Sequence, residues 1–416
     1  MLDKILFLER RFLKMRNHTK AICESLERED FVVQPLPEVS PPKWHLAHTT
    51  WFLEELILNK FLTNYRFYNL GFRKLFNSYY KSLGEHWIQS QRGYLSRPTV
   101  DEIMAYRESI ENQIMDLLTK HRHSAELFRI LELAINHEEQ HQELLLMDIK
   151  YILGSNPTPP LYSNHTFKAE SPVIDNWNYF TEGIYEIGES VSDKFYYDNE
   201  SPCHKFYVYP FGLSNRLVTN REYINFIKDG GYERPLLWLS KGYDWVKRNK
   251  IHAPLYWKNH KDSGRSEFTL YGEMKLDLNL PVSHISYFEA DAYARWAGVR
   301  LPTEQEFEVS SDRSPASDSL KAFHPKNAGT YKSQLWCWTQ SHYSPYPGFK
   351  PFEGQIGEYN GKFMCNQFVL RGGCVATPEG IIEKLIEIFM NHINDGCFQA
   401  FAWQRIIYDY YKINRR

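Results

Sequence analysis

Residues 123–153 carry apolar side chains at helical spacing for longer than any other segment of the chain. Three shorter segments, 3–29, 43–62 and 100–121, precede them with the same period. An amphipathic helix must bury its apolar stripe, and four of them close together in sequence bury theirs against one another, so residues 1–155 are expected to form a four-helix bundle. The second segment starts just after Pro41-Pro42, a natural helix entry. Between the second and third segments lies a long connection carrying "NSYY" and "QRGYLSRPT", and connections of that length are commonly functional.

"GSNPTPPLYSN" then breaks the helical pattern with Pro and Gly and marks a linker over 156–175. Beyond it, short aromatic strands such as "GIYEIG" and "HKFYVYPFGL" alternate with turns. Two helical pieces stand out, "TNREYINFIKDGG" with Thr219 or Asn220 as N-cap and "SYFEADAYARWAG" stopping at Gly298. Residues 176–380 are therefore expected to form an α+β domain, which makes the chain multidomain, α and α+β.

A net charge of −2 offers no basic field for nucleic acid or an anionic membrane. No run of 18 apolar residues predicts a membrane span, and "MLDKILFLERRFLKMR" meets charge too early for a signal peptide. The six cysteines are scattered without a C-x-x-C, which argues against a disulfide framework or a cysteine zinc site and fits a reducing cytoplasm.

Within the longest helix, His137, Glu138 and His141 spell H-E-x-x-H. Residues four apart on a helix lie one above the other, so both imidazoles share a face with Ile130, Ala134, Leu144 and Leu145 and are expected to point inward. A lone inward histidine is most often a hydrogen-bonded core residue, whereas two in register raise the odds of a metal, for which neutral imidazole is a common ligand. The second helix adds His45 and His48 in "WHLAHTTWFLEE". With His48 as third ligand and His45 as a structural histidine, three neutral donors on one side of an ion leave open positions, as in non-haem iron oxygenases. A zinc protease would need more: a third ligand and a glutamate aimed at the metal-bound water. "HQELLLMDIK" lacks the downstream Gly and His of the longer protease motif, and Glu138, turned about 100° from His137, reads as a solvated or outer carboxylate.

"PPKWHLAHTTWFLEE", "LFNSYYKSLGE", "QRGYLSRPT" and "HEEQHQELLLMDIKYIL" resemble the N-terminal DinB-like bundle of the iron-dependent sulfoxide synthases of ergothioneine biosynthesis. "VTNREYINFIKDGGY", "PVSHISYFEADAYARWAGVRLPTEQEFE", "WTQSHYSPYPGF" and "FVLRGGCVATP" resemble their second domain, which has the fold of formylglycine-generating enzymes (sulfatase-modifying factors) and is related to C-type lectins. The resemblance runs through residues 1–380. It implies Fe(2+) held by His48, His137 and His141. It also implies hercynine, a thiol (cysteine or γ-glutamylcysteine) and O2 as substrates, with a C–S bond formed at imidazole carbon 2 and the sulfur oxidised to a sulfoxide. It further implies a proton-donating tyrosine, for which "NSYY" offers Tyr79 and Tyr80, and a glutamine at the substrate imidazole, matched by Gln140. Arg92 and Arg97 are matched to substrate carboxylates, and "WCWTQSHYSPYPGF" to a cage for the quaternary ammonium. The alternatives are an ovothiol-type synthase acting on histidine and cysteine, a selenium-using relative, and a non-catalytic relic with a ligand-binding second domain.

After "LRGGCVATP" the resemblance stops. Such enzymes close with a segment of the type "(T/S)YRNF…RW.F.G.R", whereas residues 381–416 contain none of it. Codons can be chosen for Glu383–Arg405 such that the frame one nucleotide back reads RKTYRNFYESHQRWMFSGIRLAK. The tail is therefore expected to be out of frame from near Gly380, with no role for His392 or Cys397.

Overall fold

The computed structural model describes residues 2–121, 124–164, 175–190, 195–261, 264–311, 323–326 and 334–378, together with the backbone of three short strands at 387–391, 402–404 and 407–409. The chain divides into two compact units, Met1–Ser163 and Asn164–Arg416.

The first unit is built on four long helices, α1 (Leu2–Ile22), α2 (Pro42–Leu53), α3 (Val100–Lys120) and α4 (Ala125–Gly154). Helix α1 buries Ile5, Leu8, Phe12, Met15, Thr19 and Ile22, an alternation of three and four that keeps one stripe inward. It ends seven residues before the apolar spacing does. Cys23 and Glu24 turn to i−3 carbonyls, and the Glu27 N–H donates to Asp30. The acidic run Glu27–Glu29–Asp30 opposes the negative end of a helix but suits the start of the next, a 3-10 turn at Arg28–Val32. Helix α3 begins with a capping box, Thr99 accepting from the Glu102 N–H and Glu102 from the Thr99 N–H, and α4 begins on the Ser124 hydroxyl.

Helix α1 packs on α4 and α3, and α2 packs on α3 and α4. Every residue of α2 is buried. Its ladder widens to a π-turn at Glu54–Leu58, where the buried Glu54 carboxylate accepts from the Tyr65 hydroxyl at 2.8 Å and the Tyr68 N–H at 2.7 Å and also bonds the Tyr106 hydroxyl. The long connection to α3 is not open loop. It holds short helical turns at Phe72–Leu75, Lys81–Leu83 and Gln89–Tyr94. The buried Asn77 side chain braces one bend, donating to the Tyr80 carbonyl and accepting from the Tyr80 N–H, both at 2.9 Å.

A carboxylate sits at the centre of the bundle. Glu138, 1% exposed, accepts from Arg16 at 2.8 Å, Arg107 at 2.9 Å and the Thr19 hydroxyl at 2.7 Å. Arg107 also donates to the Leu46 carbonyl at 3.0 Å and the Thr49 hydroxyl at 3.1 Å, so one network ties all four helices. Burial pushes the Glu138 carboxyl up, but the two guanidiniums outweigh it and hold it at about 2.

In the second unit, small sheets and short helices alternate. Strand β1 (Trp177–Phe180) pairs antiparallel with β4 (Phe211–Ser214), and β2 (Gly183–Ile187) with β3 (His204–Val208). Strands β5 (Trp257–His260), β6 (Gly264–Thr269) and β7 (Gly272–Lys275) form a meander, and β8 (Trp336–His342) pairs with β9 (Gln367–Arg371). Of the two helices expected from sequence, Asn220–Lys228 is capped by Thr219. Tyr287–Trp296 is capped by Ser286, and Gly298 beyond it takes φ +73°. Three strands of the tail add to these sheets: Glu387–Asn391 beside β9, Ala402–Gln404 beside β8 and Ile407–Asp409 beside β4.

Removing one partner of a buried ion network leaves the others uncompensated. Glu138→Ala is expected to destabilise the bundle by about 3–5 kcal/mol, and Glu138→Gln by less. Both are read as a lowered denaturant midpoint in circular dichroism.

Candidate metal centre

With Glu138 committed to α1 and α3, its neighbours His137 and His141 face α2. Nitrogens of His48, His137 and His141, one per ring, all lie within 4.8 Å of one another. His48 and His137 are buried, and His141 keeps some accessible surface.

Each ring is held by its surroundings. His48 stacks on Trp44, four residues earlier, at 4.5 Å and 9°, and on Trp51, three later, at 5.5 Å and 18°. Its Nδ1 lies 2.6 Å from the Phe76 carbonyl, which can only accept; Nδ1 therefore carries the hydrogen and Nε2 offers its lone pair. His137 stacks on Phe52 at 4.0 Å. His141 is met by His45, Nδ1 to Nδ1 at 2.9 Å, and His45 reaches Asp148 through Nε2 at 2.9 Å. Asp148 also accepts the Ser40 N–H at 2.9 Å. Burial, with the neighbouring imidazoles adding to it, lowers the pKa of His48, His137 and His141 well below the ordinary histidine value, so all three are neutral at pH 7. Three converging neutral imidazoles, with ring orientations fixed from outside, fit a divalent transition metal.

Tyr80 is fully buried against Trp51 at 5.8 Å and Phe52 at 5.9 Å, the rings that hold His48 and His137, and half-buried Tyr79 stacks on it at 4.7 Å. Gln140 precedes His141 on α4 and is partly exposed. The two arginines part company. Arg92 is buried with its guanidinium 3.3 Å from the centre of the Trp44 ring and donates to Ser40 at 2.7 Å, while its Nε meets no acceptor among the described residues. Burial pulls Arg92 down to about 9, which leaves it charged at neutral pH. Arg97 is exposed and donates to the Ser96 carbonyl. In the second unit, Trp336, Trp338 and Tyr343 of the aromatic run are buried, with Trp338 donating to the Ile285 carbonyl.

Of the two sequence readings of Glu138, a solvated or an outer carboxylate, the structure corrects the first. Glu138 is buried and clamped by two arginines, which removes the free general base that an H-E-x-x-H protease requires. Two groups escaped the sequence reading. Asp148 lies eleven residues after His137, three turns along the same face, and that spacing was available as a signal. The Phe76 carbonyl was not, because a backbone acceptor leaves no mark in side-chain pattern.

Residues 174–391 match the family of the sulfatase-modifying factor enzyme 1-like domain. A hercynine oxygenase of Mycobacterium tuberculosis is 28% identical over 90% of this chain and 92% of its own length. A second, from Mycolicibacterium thermoresistibile, is 27% identical over 97% and 94%. Ergothioneine biosynthesis protein 1 of Schizosaccharomyces pombe is 25% identical over 92% of this chain and 53% of its own. Among the described residues no helix is long and apolar enough to cross a membrane.

His48→Ala, His137→Ala and His141→Ala are each expected to lose tight Co(II) binding in an absorption titration while keeping the helical signal. A variant with wild-type affinity would remove that histidine from the ligand set.

Proposed function

This chain belongs to the family of the sulfatase-modifying factor enzyme 1-like domain, and on that footing we propose that it is an iron-dependent sulfoxide synthase of ergothioneine biosynthesis. The observation that carries the reading is the convergence of His48, His137 and His141 within 4.8 Å. It is supported by hercynine oxygenases aligned along nearly the whole chain.

The net reaction joins a thiol to hercynine with O2. The C2–H and S–H bonds break, a C2–S bond forms, and one oxygen atom ends on sulfur while the other leaves as water. Ferrous iron held by the three histidines would supply the electrons that activate dioxygen and a site for the thiolate. The protein's own part is placement. Two substrates held side by side no longer need to meet by diffusion, and that contributes several powers of ten. Arg92 is a buried cation with donor capacity to spare, suited to a substrate carboxylate. We assign Gln140 to orienting the imidazole, and Tyr79 or Tyr80 to holding the proton that the oxygen chemistry consumes. The aromatic packing around His48 and His137 keeps bulk water from the ring nitrogens. The compartment proposed is the cytoplasm, consistent with five cysteines free among the described residues.

We also propose that residues 381–416 are read out of frame and that the second unit lacks its natural closing segment. Sequencing the gene decides this directly.

The test loads the protein with Fe(II) without oxygen and adds hercynine with cysteine or γ-glutamylcysteine. Oxygen is then admitted, and the sulfoxide is sought by mass spectrometry. Product from histidine but not hercynine would overturn the substrate assignment. Restoring the frame is expected to raise turnover at least tenfold with metal affinity unchanged. Of Tyr79→Phe and Tyr80→Phe, the one that removes the proton donor should lower kcat and leave affinity intact.

A further inference from the structure

We infer that His45 and Asp148 are positioning residues that dictate which nitrogen of His141 carries hydrogen, and so which is offered to the metal. The inference rests on the metal-centre reading but concerns the protein's own hydrogen bonds.

The Ser40 N–H can only donate, and it donates to Asp148 Oδ2 at 2.9 Å. That oxygen is thereby an acceptor, and the same oxygen lies 2.9 Å from His45 Nε2. The hydrogen of the His45–Asp148 contact therefore sits on Nε2. An imidazole whose one hydrogen is on Nε2 has a bare Nδ1. Since His45 Nδ1 lies 2.9 Å from His141 Nδ1, the hydrogen between them belongs to His141. His141 is thus held with hydrogen on Nδ1 and a free lone pair on Nε2. His48 reaches the same tautomer by a different route, through the Phe76 carbonyl. The sequence Ser40 N–H, Asp148, His45, His141 runs from the start of α2 to the metal face of α4 with each hydrogen assigned. An acceptor behind a ligand histidine also makes it a better donor to the ion.

Asp148→Asn can keep an oxygen where Ser40 and His45 need one, and Asp148→Ala cannot. His45→Phe removes the acceptor facing His141. The full-length, metal-free protein, labelled with ¹⁵N at histidine, is read by long-range ¹H–¹⁵N correlation, and Co(II) affinity is measured on the same samples. Wild type and Asp148→Asn are expected to show His141 protonated at Nδ1. Asp148→Ala and His45→Phe are expected to show the Nε2–H form and a loss of 10–100-fold in affinity, with the His48 tautomer unchanged as internal control. Hydrogen on Nε2 of His141 in wild type would overturn the inference. So would unchanged tautomer and affinity in both Asp148→Ala and His45→Phe. A wild-type chain that binds no divalent metal would defeat the metal-centre reading, while the nitrogen spectra would still decide this one.

Discussion

Glu138 sets the rotation of α4, and the rest of the first unit follows from that. Two buried guanidiniums and a hydroxyl draw its carboxylate toward α1 and α3. Side chains on a helix are fixed relative to one another at about 100° per residue. Once Glu138 is locked to one side, His137 and His141 have no choice but to face α2. A slip of one residue in α4 would bury an unpaired carboxylate and leave two arginines without an acceptor, which is far costlier than lost apolar contact. The network thus specifies register more than it adds stability, and register is what brings three imidazoles to one point.

The imidazoles are held by a second set of contacts that use shape. Trp44 and Trp51 flank His48 along the same helix, Phe52 covers His137, and Arg92 lies over Trp44. Stacking fixes a ring's plane but not which way its nitrogens point. That remaining freedom is removed by the Phe76 carbonyl for His48 and by His45 for His141. For His48, plane from aromatics and direction from a hydrogen bond together leave one orientation, while His45 sets the direction of His141, and a preformed donor set costs less to fill than one that must be ordered on binding.

Much of this was legible in the chain. Apolar spacing located all four helices, because burial of a stripe is a repeating demand that sequence must satisfy at every turn. The i, i+4 histidines were readable for the same reason, as were the caps at Thr219 and Gly298. What escaped depended on single partners far away in sequence. Glu138 and Arg107 look like surface residues, and only the pairing across α1, α3 and α4 makes them core. Arg92 and Arg97 occupy one short motif, yet the first is buried on Trp44 and the second is exposed, and nothing local separates them. Helix α1 stopped early because an acidic run outweighed a continuing apolar period.

The described contacts that shape the centre lie within residues 2–154, and those the tail strands make lie on β4, β8 and β9. The metal face and the tail therefore lie in different compact units. Damage to one unit propagates to the other only as far as the two are thermodynamically coupled. Within the bundle, polar side chains that would be a liability singly (Arg16, Thr19, His45, Arg107, Glu138 and Asp148) are bonded to one another or to backbone. Arg107 Nε keeps no acceptor among the described residues, but side chains bonded at this many points have few alternative packings of similar energy. The contacts described around its histidines all come from the bundle itself.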